Sequence, residues 1–190
     1  MKKIFFAFLL MLAVVQVSQA QEEGKFRVGL EGGYTMPSGG GGVLLAIEPK
    51  YNIADNMNIG IRFESAAMAK NVSQNGLSLE ANIAASGTYS GTFDYYFHNG
   101  SSSFAPFFGA GAGYSTLANI AFDEAGPESD EAELDGKFAG LLRTGFEAGK
   151  FRLTVSYSLV GKSEIEGAEI KNSYLGVSLG FYLGGGKWKK

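Results

Sequence analysis

The chain has 190 residues, a formal net charge of −3 and no cysteine, which points to a single domain and excludes disulfides, thiol chemistry and cysteine-based metal sites. Glycine is abundant at 28, phenylalanine and tyrosine number 15 and 9, and proline only 4, a balance that excludes disorder and suits many strands joined by tight turns. A mildly acidic chain carries no electrostatic footprint for nucleic acid, which is excluded as a partner.

The first predicted element is a targeting segment. Met1-Lys2-Lys3 is followed by an apolar run over 4–15 and by Val17-Ser18-Gln19-Ala20. A positive start, a short apolar run and a small-x-small site read as a secretory signal peptide. Residues 1–20 are therefore expected to be cleaved, leaving a barrel domain over 21–190. Loss of Lys2 and Lys3 takes the net charge from −3 to −5. No later run approaches the roughly 20 apolar residues of a membrane helix, so any membrane location beyond residue 20 requires a β-barrel.

From there the dominant pattern is alternation with period two, the mark of a strand with two different faces. Phe26, Val28, Leu30, Gly32 and Tyr34 share one face of the first strand. Val43, Leu45, Ile47, Pro49 and Tyr51 mark the second, and Ile59, Ile61, Phe63, Ser65 and Ala67 the third. Ile83, Ala85, Tyr89, Phe93, Tyr95 and Phe97 mark a long fourth. In the fifth, from Phe104 to about Leu117, Phe108, Ala110, Ala112 and Tyr114 alternate with Gly109, Gly111 and Gly113. Phe138, Leu142 and Phe146 mark the sixth, Phe151, Leu153, Val155, Tyr157 and Leu159 the seventh, and Leu175, Val177, Leu179, Phe181 and Leu183 the eighth. Eight strands of about 10 residues match tilted membrane strands.

The connections alternate in length. Long ones are expected over 36–42, 69–78, 118–136 and 161–172, and short ones over 53–56, 98–103 and 148–150. An up-and-down barrel has this asymmetry, with short periplasmic turns at one end and long extracellular loops at the other. The expected fold is thus all-β, an eight-stranded antiparallel up-and-down transmembrane β-barrel, located in the bacterial outer membrane.

The face opposite the apolar one carries Arg27, Glu31, Glu48, Lys50, Arg62, Glu64, Asp94, Arg143, Glu147 and Arg152. Arginine leads on this face, its neighbours are small, and acids balance bases. An eight-stranded barrel has an interior that side chains just fill, and buried charges are tolerated only when paired. These ten residues are expected to form an ion-pair network inside the barrel. Tyr34, Tyr51, Tyr89, Tyr95, Phe97, Phe104, Tyr114, Phe146, Phe151 and Phe181 lie mostly near strand ends, where membrane barrels carry aromatic girdles.

The segment Phe104-Ala105-Pro106-Phe107-Phe108-Gly109-Ala110-Gly111-Ala112-Gly113-Tyr114 and the closing Leu179-Gly180-Phe181-Tyr182-Leu183 carry a resemblance. As a pattern the whole mature chain resembles the small eight-stranded outer-membrane proteins of the OmpX, OmpA-barrel and opacity-protein type. That resemblance implies a porin-like or cell-surface protein of Gram-negative bacteria. It also implies that Phe181 and Tyr182 serve as an assembly signal for the barrel-assembly machinery. The chain departs from many relatives in the basic, glycine-rich tail that follows.

Candidates for chemistry are few. The only histidine, His98, falls in a short turn. Some barrels of this size modify lipid A through a histidine and serine near the extracellular rim, but His98 is expected at the opposite end. Asp94 and Ser101, Ser102 and Ser103 lie near it in sequence without making a triad. Gly109, Gly111 and Gly113 lack the strand–turn–helix setting of a phosphate loop and instead leave room for partners such as Arg143. Asp123, Glu124, Glu128, Asp130, Glu131, Glu133 and Asp135 make an acidic stretch that matches no known cation loop, so a solvated loop is the better reading, with cation bridging to lipopolysaccharide as the hypothesis beside it. No enzyme activity, cofactor or metal is expected. The expected partners are outer-membrane lipid and lipopolysaccharide, the assembly machinery, and an extracellular ligand or host surface met by the long loops. The alternative function is a narrow pore or small hydrophobic-solute channel.

Overall fold

The computed structural model describes residues 22–37, 40–74, 77–97, 103–120, 135–161, 163–165, 168–170 and 172–185. The expected signal peptide, His98, and the acidic residues from Asp123 to Glu133 lie outside them. Ten strands follow in chain order: β1 (Phe26–Pro37), β2 (Gly40–Ala54), β3 (Met57–Gln74), β4 (Leu77–Tyr96), β5 (Phe104–Ile120), β6 (Asp135–Ala148), β7 (Phe151–Val160), β8 (Ser163–Ile165), β9 (Ala168–Ile170) and β10 (Tyr174–Gly184). Eight of them close into a barrel in the order β1-β10-β7-β6-β5-β4-β3-β2. Each neighbour pair is antiparallel. Closure pairs the first strand with the last, from Arg27 opposite Gly184 to Pro37 opposite Tyr174.

The strands are longer than the alternation alone suggests, and this corrects the expected loops. The connection expected over 69–78 is nearly all strand, because β3 runs to Gln74 and β4 starts at Leu77. The one expected over 36–42 shrinks in the same way to the two residues between β1 and β2. Polar residues such as Lys70, Asn71, Ser73 and Gln74 carry no hydrophobic alternation, yet their backbones pair across the β3–β4 hairpin. The connection over 161–172 holds its own small hairpin, β8 with β9. The short end keeps its expected character. A two-residue turn, Asp55 and Asn56, joins β2 to β3, and Gly149 and Lys150 join β6 to β7. Gly149 has φ of +64°, a left-handed conformation that glycine adopts without steric cost.

That end is tied together by backbone bonds. Gly24 donates to Asn52 O at 2.8 Å, Glu22 to Gly185 O at 2.7 Å, and Gly185 to Phe26 O at 2.8 Å. The Asn52 side-chain amide donates to Glu22 O at 2.9 Å. The segment before β1 is thereby fastened to the β2–β3 turn and to the end of the closing strand.

Candidate functional site: the barrel interior and the loop end

Alternation sorts side chains to the two faces of the wall in the inverse sense of a soluble protein. Leu45 and Leu179 are 68 % and 69 % exposed, while Arg27, Glu48 and Arg152 are at most 2 %. Large apolar groups such as Leu30, Ile47, Ile61, Phe63, Val155 and Leu159 face outward. An apolar exterior on this scale is unstable against water and is solvated by lipid. Aromatic pairs band the short-turn end: Phe26 with Tyr51, Tyr95 with Phe97, Phe104 with Phe146, and Phe151 with Phe181, all with ring centroids within 5.4 Å. Higher on the wall Tyr89, Tyr114 and Phe138 form a second band.

All ten charged residues singled out in the sequence lie inside the wall, and the structure joins them into one connected set. Arg27 meets Glu147 at 2.8 Å, and Glu147 meets Arg152 at 3.1 Å. Arg152 reaches Asp94 at 3.0 Å. Asp94 takes Arg143 Nε on its other oxygen at 2.8 Å, and Lys50 on the same oxygen as Arg152. Arg143 holds Glu48 with both terminal nitrogens, at 2.7 and 2.9 Å. Arg62 lies 3.5 Å from Glu48 and links onward to Glu31 at 3.0 Å and Glu64 at 2.8 Å. The paired fork of Arg143 on Glu48 is the geometry in which guanidinium–carboxylate contacts are strongest.

One inner glycine of β5 makes room for this layer. A Cβ on Gly109 would stand 2.0 Å from Asp94 Oδ1 and 3.1 Å from Arg143 Nε. Gly109 therefore leaves space for large charged partners, as the sequence suggests, whereas a Cβ on Gly111 or Gly113 would instead meet the β4 backbone, 2.8 Å from Gly91 O and 1.9 Å from Tyr89 O.

Above and below the charges lie layers that the sequence does not announce. Towards the turns, Tyr96, Phe107 and Tyr182 are buried. The Arg27 guanidinium sits 4.1 Å from the Tyr182 ring centre and that of Arg152 3.5 Å from the Phe107 ring centre, which places cations over aromatic faces. Towards the loops, Leu44, Ala66, Met68, Leu117, Ala139, Val160 and Tyr174 form an apolar cluster inside the lumen. The Tyr174 hydroxyl joins it to the charges through a hydrogen bond to Glu64. These inward groups were hidden because Val43-Leu44-Leu45 and Tyr95-Tyr96-Phe97 are apolar at consecutive positions. A run without alternation is the trace of a strand apolar on both faces.

Just outside the wall at the turn end, half-buried Lys150 has its ammonium pushed down to about 8, by burial first and by the like charge of Arg27 next, with Glu147 opposing. It donates a hydrogen bond to Gly184 O.

The structure superposes on solved eight-stranded barrels. With the outer membrane protein OprG from Pseudomonas aeruginosa the TM-score is 0.53 at 13 % identity, covering 86 % of this chain and 98 % of that one. With Neisserial surface protein A it is 0.52 at 14 % identity, covering 85 % and 97 %. The fold is that of a small outer-membrane β-barrel. No family model matches the sequence, and no curated protein does either, so the likeness lies in the barrel architecture rather than in shared residues. The barrel's inverted faces give the same answer from physics: charges within, lipid-compatible groups without.

Proposed function

We propose that the chain is a non-enzymatic, non-conducting outer-membrane barrel that acts through its loop end, in surface interaction or in membrane integrity. One observation carries this reading: the lumen is occupied at every level, by Tyr96, Phe107 and Tyr182 near the turns, by ten interlinked charges in the middle, and by Leu44, Met68, Leu117 and Val160 near the loops. An eight-stranded wall has little interior to spare, and here both ends are capped by apolar groups that repel a hydrated ion. The buried acids and bases engage one another rather than a cleft, which supports a structural role for them over acid–base chemistry. With the wall in lipid and the lumen filled, the surfaces left to meet a partner are the connections at the loop end. Extracellular ligands, a host surface and lipopolysaccharide are the partner classes such a surface would meet. Phe181 and Tyr182 are proposed to guide assembly, the former from the outer wall and the latter from within the lumen.

The test is conductance across a planar lipid bilayer, run beside whole-cell labelling of single cysteines introduced at the loop end. Silence in the bilayer with label at the loop end is the expected result. Stable single-channel steps from the purified barrel would overturn the closed reading and favour a narrow channel.

A further inference from the structure

The outer wall is uneven. On β7 and β10 the outward positions are bulky throughout: Leu153, Val155, Tyr157 and Leu159 on one, Leu175, Val177, Leu179 and Phe181 on the other. Across β1–β5 one outward row reads Gly32, Leu45, Ser65, Gly87 and Thr116 by register. The row below it reads Leu30, Ile47, Phe63 and Tyr89. Apart from Leu45, which stands up as a wall, this row is low, and beside the taller one it leaves an open trough of about 890 Å³ on the outside of the barrel. Packing does not require its smallest residue. A Cβ on Gly87 would meet nothing within 4 Å, whereas a Cβ on the inner Gly113 would stand 1.9 Å from Tyr89 O.

We propose that this trough is a lipid site that seats one acyl chain of a bilayer lipid in the leaflet on the loop side. Its position decides the chemistry. The trough lies within the lipid-facing belt, above the lower aromatic band, and is lined by Leu30, Leu45, Ile47 and Phe63, so hydrocarbon is the medium that meets it. Its course decides the leaflet. The row crosses β1 six residues above Phe26 and β5 twelve residues above Phe104, so it climbs obliquely towards the loops as it passes around the wall. A chain lying along it points its headgroup to the loop-side surface and its methyl end towards β1. Mobile hydrocarbon confined between fixed ridges exchanges more slowly than hydrocarbon on a smooth wall, because it gains contacts along its length.

The experiment uses the full barrel in phosphatidylcholine vesicles carrying phosphatidylcholine spin-labelled on the acyl chain. Paramagnetic resonance reads the motionally restricted fraction as the lipid-to-protein ratio is raised. The expected result is a larger restricted fraction for the wild type than for a filled variant, Ser65→Leu with Gly87→Leu. The single Gly87→Leu should give an intermediate loss, and the heat-dependent gel shift of the folded barrel verifies each variant. Val155→Leu, on the bulky wall, should leave the fraction unchanged. Equal fractions in wild type and filled variants would overturn the proposal. So would barrel dimers on cross-linking of the wild type that disappear when the trough is filled, since a second copy would then be the occupant.

Discussion

Replacing Arg143 with methionine should strongly destabilise the charge layer. The side chain donates three short hydrogen bonds, two to Glu48 and one to Asp94. Each bond to a charged group is worth about 1.5–3 kcal/mol net, so simple addition gives a ceiling of about 4.5–9 kcal/mol. The true loss is smaller, because Asp94 keeps Lys50 and Arg152 and Glu48 keeps Thr92 and, at 3.5 Å, Lys50 and Arg62. Breaking a buried pair by removing one partner costs about 3–5 kcal/mol, and that is the expected destabilisation. The assay is reversible urea unfolding in lipid vesicles, followed by the folded and unfolded gel bands. Pairing Arg143→Met with Glu48→Gln should recover part of the loss, since the second change removes the stranded charge. A loss below about 1 kcal/mol for the single variant, or losses that add without coupling in the double variant, would refute the view that these groups act as one paired set.

Three other changes test separate layers. Tyr182→Phe should shift the urea midpoint little, because the buried hydroxyl has no hydrogen-bond partner among the described residues, whereas Tyr182→Ala removes the ring beside Arg27 and should cost about 3–5 kcal/mol by the same assay. Gly109→Ala should lower the yield of refolded barrel, since its Cβ would collide with Asp94, while Gly87→Ala should refold as the wild type does. Lys150 should titrate near 8 by carbon-13 NMR of the labelled side chain. Its folded value lies below the ordinary 10.5, so between those values the unfolded chain binds more protons and stability should rise as pH increases. A flat profile across that window would count against the half-buried placement of the ammonium.

The sequence exposed the barrel because alternation and alternating connection lengths are independent traces of one topology. Residues 151–160 show the first plainly: Arg152, Thr154, Ser156 and Ser158 are buried and Phe151, Val155, Tyr157 and Leu159 are exposed. The ten charges were legible for a related reason: a charged residue in phase with small neighbours, opposite an apolar face, has nowhere to go but inward once lipid surrounds the wall. The apolar plug was not legible. Leu44 and Met68 sit in phase with the polar face, but alternation reports only a difference between faces, and near the loops both faces are apolar. Strand length was missed for the opposite reason. Over 70–74 the residues lack a hydrophobic phase, and their backbone pairing leaves no mark in side-chain pattern, whereas Leu77, Leu79 and Ala81 do alternate with Ser78, Glu80 and Asn82 in phase with Ile83, a signal the expected loop boundary cut across.

The seam between β1 and β10 has a consequence for how the molecule comes into being. Residues paired there are separated by most of the chain, as with Leu30 and Phe181, so loop closure is as distant as this length allows. A fragment without β10 can pair β1 through β7 in sequence, but β1 and β7 then each lack one final neighbour. Until the last strand arrives, β1 and β7 each present a bare row of amides and carbonyls, the kind of border that invites pairing with other chains. Closure of the barrel therefore waits for its last strand, and any product cut short before Tyr174 is left an open sheet.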